Sequence, residues 1–218
     1  MSWKDTTIII CCAGMGTRLG IGTTKALINV AGKSLIRRQI EALGDFDDIR
    51  VVVGYQAEGL IKAVNEYRKD IMFAFNYDYQ NTGPLESVNK AILGAKKYTV
   101  VMGGDMLIHP EDMDSFLSYP GECIGFSRIH SAEPIFLSVN NTGEAVSFEP
   151  EVDQLEWSGL VKFESQFFKN DKYYVHQMVK SILPIKAIET RGIDVDTPED
   201  YEKVVEWVLS GYSNDLLS

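Results

Sequence analysis

Thr7-Ile8-Ile9-Ile10-Cys11-Cys12 runs without a break into Ala13-Gly14-Met15-Gly16-Thr17-Arg18-Leu19-Gly20, and Lys25 follows shortly after. A β-branched run of this kind reads as a strand, and a glycine-rich turn at its carboxyl end lets backbone N–H groups close on anionic oxygens. Arg18 and Lys25 supply the cationic charge that a nucleoside triphosphate needs. The opening therefore points to phosphate chemistry at the end of a sheet strand.

Better-known phosphate loops fail on spacing. A dinucleotide fingerprint needs Gly-x-Gly-x-x-Gly, and Leu19 stands where the third glycine belongs. It also needs an acidic residue at the tip of the next strand, yet the segment Ile49–Val53 ends in Gly54-Tyr55. A Walker A reading of Gly32-Lys33-Ser34 would put its first glycine at Leu27. A nicotinamide-dependent dehydrogenase is weakened on the same count.

The chain then alternates. Strands are expected at Thr6–Cys12, Ile49–Val53, Met72–Phe75 and 98–102, and helices over 34–44, 59–69 and 84–94. Such strand–helix units argue for an open, mostly parallel α/β sheet flanked by helices. In the second half, strands are expected at 123–127, 135–139, 145–149, 157–163 and Ile185–Glu189, with a hairpin signal at Asn140-Asn141-Thr142-Gly143. Helical stretches fall near Phe167, over 175–182 and after Pro198. This mixture adds a smaller antiparallel subregion, and residues 210–218 should fray.

Composition limits the function classes. With 218 residues and 45% hydrophobic content the chain can bury one sizeable core, so a single domain is expected. The formal net charge of −10, with no dense Lys/Arg stripe, disfavours polymeric nucleic acid as a partner. Met1-Ser2-Trp3-Lys4-Asp5 lacks the regions of a signal peptide and no long apolar run follows, which suggests a cytoplasmic protein with no membrane partner. Three cysteines and three scattered histidines have no zinc-ligand spacing.

Ligands in open α/β sheets bind outside the carboxyl ends of the strands. Two acidic segments qualify there: Met102-Gly103-Gly104-Asp105 and Asp194-Val195-Asp196-Thr197-Pro198-Glu199-Asp200. On extended backbone Asp194 and Asp196 would point the same way. Carboxylates that converge opposite a cationic cradle suit Mg2+, which takes one or two of them together with phosphate oxygens. The alternatives are helix capping for Asp196 or Thr197 and a plain turn role for Asp105.

Ala13-Gly14-x-Gly16-Thr17-Arg18-Leu19-Gly20 with Lys25, Gly104-Asp105 and Asp194-Val195-Asp196-Thr197-Pro198-Glu199-Asp200 together resemble the nucleotidyltransferase superfamily that activates phosphorylated sugars and alcohols. Asn76-Tyr77-Asp78-Tyr79-Gln80-Asn81-Thr82-Gly83-Pro84-Leu85-Glu86-Ser87 resembles a stretch of small cytidylyltransferases acting on phosphocholine, phosphoglutamine or phosphonates. The resemblance implies a single Rossmann-like (GT-A-like) domain over residues 1–218, with 1–110 as its nucleotide-binding half and 111–218 as its acceptor-side half. It implies that Ala13, Gly14, Met15, Gly16, Thr17, Arg18 and Gly104 wrap the nucleotide, that Lys25 contacts the α-phosphate, and that Arg18 and Lys25 are the catalytic cations. Thr82 and Ser87 should lie near the base or ribose, and Asp105, Asp194 and Asp196 should bind Mg2+. Relatives usually carry proline before the lysine. Here Thr24 stands there, with a less restricted φ, so the rigidity of the Lys25 loop is an open point.

On the acceptor side, Tyr174-Val175-His176-Gln177-Met178-Val179-Lys180 resembles a helix of the phosphocholine enzymes. Tyr174, His176 and Trp157 are expected beside the acceptor, with aromatic core packing as the alternative. Arg128 is expected at the acceptor's phosphate, with a surface ion pair as the alternative. The reaction so implied is transfer of a nucleoside monophosphate, CMP from CTP in the first instance, to a small phosphorylated or phosphonylated acceptor. The rivals are a sugar-1-phosphate enzyme using UTP, dTTP or GTP, and a nucleotide-binding module whose catalysis has decayed. The hairpin around Asn141 could reach a second subunit in a homodimer.

Overall fold

The computed structural model describes residues 3–16, 22–131, 133–149, 155–169 and 173–213, so the expectations for Thr17 and Arg18 lie outside the described residues. In chain order the strands are β1 (Thr6–Cys12), β2 (Asn29–Val30), β3 (Lys33–Ser34), β4 (Ile49–Val53), β5 (Met72–Phe75), β6 (Tyr98–Gly103), β7 (Met106–Ile108), β8 (Cys123–Arg128), β9 (Phe136–Val139), β10 (Glu144–Ser147), β11 (Leu155–Glu164), β12 (Ile185–Glu189) and β13 (Gly192–Asp194). The helices are α1 (Leu35–Ala42), α2 (Ala57–Asn65), α3 (Pro84–Ala91), α4 (Pro110–Ser118), α5 (Val175–Lys180) and α6 (Pro198–Leu209).

Among the described residues one nine-stranded sheet runs β5-β4-β1-β6-β11-β8-β12-β10-β9. Its first four strands are parallel. From β6 onward the pairings are antiparallel except for β12 beside β8. Because β9 also pairs with the first residues of β11, the far end of the sheet closes on itself through β9, β10, β12, β8 and β11. This is the antiparallel subregion, curled into a small closed barrel, and Ile124, Leu137, Ala145, Val161 and Ala187 of its strands are buried in one cluster with α3.

β1 is buried on both faces. Ile8 and Ile10 pack with α1 and α2 through Ile36, Ile40, Leu60 and Val64, whereas Ile9 packs with α3 through Leu85 and Val88. The period-2 alternation of strand side chains divides them in this way. The strand order reverses at β1, since β4 and β5 lie on one side of it and β6 on the other. A crevice therefore opens at the carboxyl ends of β1 and β6.

Three differences from the sequence reading matter below. β7 and β13 form a two-stranded antiparallel ladder, too short for pattern recognition, which brings Asp194 opposite Met106. Helix α4 was not expected. Pro110 occupies its first turn, and His109 Nδ1 accepts the N–H of Glu111 at 3.2 Å. The expected fraying from residue 210 does not begin there: the N–H of Tyr212 reaches Trp207 O at 2.8 Å and its ring packs edge-on at 5.0 Å against Trp207. Among the described residues no helix is long and apolar enough to cross a membrane.

Candidate active site

At the crevice Cys11 pairs with Gly103, and the N–H of Gly104 donates to Cys11 O at 2.9 Å. A Cβ on Gly104 would drive into Cys12 Sγ and stand 2.9 Å from Cys11 O, so only glycine lets the chain turn there. The turn delivers Asp105, whose carbonyl accepts the N–H of Val195 at 2.9 Å and thereby ties the C-terminal acidic segment to the end of β6. One further residue fixes this turn. Gln39 of α1 is 2% exposed, and its Nε2 donates to Gly103 O at 2.7 Å and Met106 O at 2.6 Å, the carbonyls flanking Gly104-Asp105.

Lys25 lies across the glycine loop. Gly16 has φ +59°, and a Cβ there would come within 2.7 Å of Lys25 Cγ. Lys25 Nζ donates to Asp105 Oδ2 at 3.1 Å and to Asp196 Oδ1. Burial pushes the Lys25 ammonium toward deprotonation, but the charge of Asp105 and the bond to Asp196 more than offset it, and its pKa rises. Gly14, Gly16, Lys25, Gly104 and Asp105 line a narrow cavity of about 110 Å³. Of the other residues expected here, Ala13 is buried and its carbonyl accepts the N–H of Tyr55 at 3.0 Å. Met15 is exposed, with Gln80 Nε2 3.8 Å from its sulfur.

A second cavity, about 210 Å³, shares Cys11 and Asp105 with the first and extends to Asp194, Trp157, Tyr174 and His176. The structure thus brings the three residues expected beside the acceptor to the same cavity as Asp105 and Asp194. A β-bulge in β11 between Trp157 and Val161 interrupts the ladder, and Trp157 Nε1 donates to Leu160 O at 3.3 Å. His176 stacks on Tyr174 at 5.3 Å and meets the Trp157 ring at 6.2 Å. Burial, and then the charge of Lys180, lower the pKa of His176. Arg128 ends β8, exposed, and lines neither cavity. Thr82 and Ser87 line neither cavity and are tied to Asn76. Asn76, 1% exposed, donates through Nδ2 to Thr82 Oγ1 at 3.0 Å and Ser87 Oγ at 3.1 Å, which fixes the start of α3.

Asp194 and Asp196 do not share one extended segment. The N–H of Asp196 bonds to Asp194 O at 3.2 Å, and Val195 is fully buried between them, so the chain turns. Asp194 lines the second cavity while Asp196 reaches Lys25. Capping of α6 falls instead to Thr197 and Asp200, with Thr197 Oγ1 accepting the N–H of Asp200 at 3.1 Å and Asp200 Oδ2 accepting that of Thr197 at 2.9 Å.

Burial, and then the charge of Asp105, push the Asp194 carboxyl up to about 8. Asp194 is therefore held protonated near pH 7, while Asp105 is paired with Lys25. Two neighbouring carboxyl groups are the hard oxygen donors that Mg2+ takes, and a divalent cation between them would favour their ionised forms. Among the described residues no three His, Cys, Asp or Glu side chains, Asp105, Asp194 and Asp196 included, are grouped as a ready cation site.

The sequence reading missed Gln39 and a buried pair behind Asp194. Glu156, 3% exposed, accepts the ring of His130 at 2.8 Å, the N–H of His130 at 3.1 Å and the hydroxyl of Ser131. Gln39 had a signal, since it is polar yet falls on the same helical face as Ile36 and Ile40. Glu156 had a weaker one, a carboxylate at an inward position of a half-buried strand.

Residues 8–139 match the family described as the MobA-like NTP transferase domain. Among curated proteins, the bifunctional protein GlmU of Aliarcobacter butzleri is 33% identical over 74% of this chain and 39% of its own length. GlmU of Sulfurovum sp. is 28% identical over 59% of this chain and 30% of its own length. The chain thus spans well under half of these relatives. Solved structures share the fold. The inositol-1-phosphate CTP transferase of T. maritima superposes with TM-score 0.75 at 15% identity, covering 96% of this chain and 98% of its own. The CTP:phosphocholine cytidylyltransferase LicC of Streptococcus pneumoniae gives 0.72 at 22%, covering 94% and 99%. HddC of Yersinia pseudotuberculosis, complexed with GMP-PN, gives 0.70 at 19%, covering 93% and 99%.

Proposed function

This chain belongs to the MobA-like NTP transferase domain family, and on that premise we propose that it transfers CMP from CTP to a small phosphorylated or phosphonylated acceptor. An acceptor oxygen bonds to the α-phosphorus, the bond from that phosphorus to the β-phosphate bridging oxygen breaks, and pyrophosphate leaves with the electron pair. The nucleophile is already an anion, so the protein's task is to neutralise charge and align two anions. The observation that carries the reading is the ion-paired junction of Lys25 with Asp105 and Asp196, at the point where a glycine-walled cavity meets an aromatic one.

Lys25 holds the phosphates from the glycine side, where its ammonium exchanges a carboxylate partner for phosphate oxygens. Asp105 and Asp194 would hold Mg2+, with Asp196 beside them through Lys25. Bound there, the ion supplies charge stabilisation to the phosphoryl oxygens. Gln39 keeps the Asp105 turn in place, and Arg18 is proposed as a second phosphate cation. Trp157, Tyr174 and His176 form the wall against which the acceptor's organic part rests.

CTP is favoured by the stretch from Asn76 to Ser87 and by two cytidylyl-transferring proteins of the same fold. A sugar-1-phosphate acceptor with another triphosphate is the second reading, prompted by the GMP-PN complex of HddC. Ile135, Trp157, Tyr174 and Val175 on the cavity wall favour the first, since a hexose needs hydroxyl partners that such side chains provide sparsely.

The test is incubation with each of the four triphosphates, Mg2+ and a panel of phosphorylated alcohols, amides and sugars, reading pyrophosphate. Release is expected with CTP and one acceptor class, and its loss in Asp105→Asn. Full turnover by that variant, or in EDTA, would overturn the reading.

A further inference from the structure

We propose that Gln56 is the positioning residue of the Lys25 loop, and that its carboxamide, paired with the Thr24 N–H, supplies the rigidity a proline at position 24 would give. The inference rests on the reading of Lys25 as a phosphate-binding cation.

Thr24 has φ −63° and ψ 139°, the backbone that a proline ring would impose, and it is 2% exposed. A buried residue held at that φ has two physical solutions. One is proline, which has no N–H to satisfy. The other is a residue whose N–H is given an acceptor, because a buried orphan donor is costly. The chain uses the second. Gln56 Oε1 accepts the Thr24 N–H and the Thr23 hydroxyl, each at 3.1 Å, and Gln56 Nε2 donates to Gly22 O at 3.0 Å. One carboxamide therefore closes on three consecutive residues immediately before Lys25.

Gln56 bears a backbone cost to do so. Its φ of 51° and ψ of 36° are left-handed, a region non-glycine residues seldom occupy. It is also the residue just before α2, where a side chain commonly caps the helix, yet it makes no capping bond there. The same turn braces the other end of the glycine loop. The Tyr55 N–H reaches Ala13 O at 3.0 Å, and a Cβ on Gly54 would stand 2.8 Å from that oxygen. Gly54-Tyr55-Gln56 thus grips the loop where it leaves β1 and again where it arrives at Lys25.

The experiment compares Gln56→Ala, Gln56→Gly, Thr24→Pro and the double variant Thr24→Pro/Gln56→Ala. Amide hydrogen exchange of Thr24 in the protein without ligand is read first, because it does not depend on activity. Protection is expected in the parent and lost in both Gln56 variants. Gln56→Gly relieves the left-handed strain, so its Tm should equal or exceed that of Gln56→Ala while its exchange is just as fast. In the transfer assay either Gln56 variant should raise the triphosphate KM about tenfold and leave the acceptor KM within about twofold. Adding Gln56→Ala to Thr24→Pro should cost less than about threefold, the non-additivity of two devices for one task.

Retained Thr24 protection in Gln56→Ala overturns the proposal. So does a KM effect of equal size with and without proline at position 24, or a loss that follows Tm rather than the carboxamide. If no triphosphate is turned over by any form, the functional reading fails, and the exchange arm still decides the brace.

Discussion

The cavity under Gly14 and Gly16 is lined by three glycines with Lys25 and Asp105, whereas the one beneath Trp157 adds Ile135, Tyr174, Val175 and His176 to residues from the ends of β1 and β6. Two glycines of the first are dictated by clashes, Gly104 with Cys12 and Gly16 with Lys25. The second can be reshaped by exchanging aromatics without disturbing the sheet. The contrast teaches a division of labour. On the proposed function the triphosphate is held at the glycine turn and the acceptor is sorted by the aromatic side chains, and Asp105 lines both cavities.

The sharpest way to break this contrast is Lys25→Ala. If the glycine-walled cavity performs the charge neutralisation, this variant should lose ~10²–10³ in kcat with the acceptor KM little changed, measured by steady-state pyrophosphate release. A comparable loss confined to the acceptor KM would assign Lys25 to the wrong cavity. Trp157→Ala should do the reverse, raising the acceptor KM by about tenfold while the triphosphate KM stays constant, because it strips the aromatic wall and leaves the cradle intact. An unchanged acceptor KM would mean that the acceptor binds elsewhere.

The same contrast explains what was legible in the sequence. The parallel strands around β1, the glycine turn, Lys25 and Asp105 were read because backbone roles leave residue-type signatures: β-branched runs, glycines and a carboxylate after Gly-Gly. Tyr174 and His176 were placed through a resemblance of their helix and Trp157 as an aromatic expected beside the acceptor, and all three line the second cavity. Arg128, expected with them, sits outside it. Closure of β9 onto β11 and the carbonyl partners of Gln39 were not legible, since each depends on pairing between residues far apart in sequence. Asp194 and Asp196 show the limit well. Their spacing suggested one direction, and a hydrogen bond from Asp196 to the carbonyl of Asp194 gave them two.

The smallest expected effect concerns the wall's support, and it titrates. Burial pushes the His130 pKa down, but the bonded carboxylate of Glu156 more than offsets it and the net shift is upward. Glu156 moves the other way: burial raises it, while the bonds from His130 and Ser131 prevail and lower it. A raised His130 contributes stability that is complete below its unfolded value of 6.5 and is lost as pH climbs through the folded value. A lowered Glu156 contributes stability that is complete above 4.5 and is lost as pH falls through its folded value. The pair is therefore worth most between those two unfolded values. His130→Gln should lower Tm there by only about 2–4 °C, and the gap should close on the alkaline side as the parent loses its proton. Thermal melts of both proteins from pH 4 to pH 9 measure it. A gap that stayed constant across that range would show that the ring only packs, and that Glu156 holds the Ser131 turn without its help.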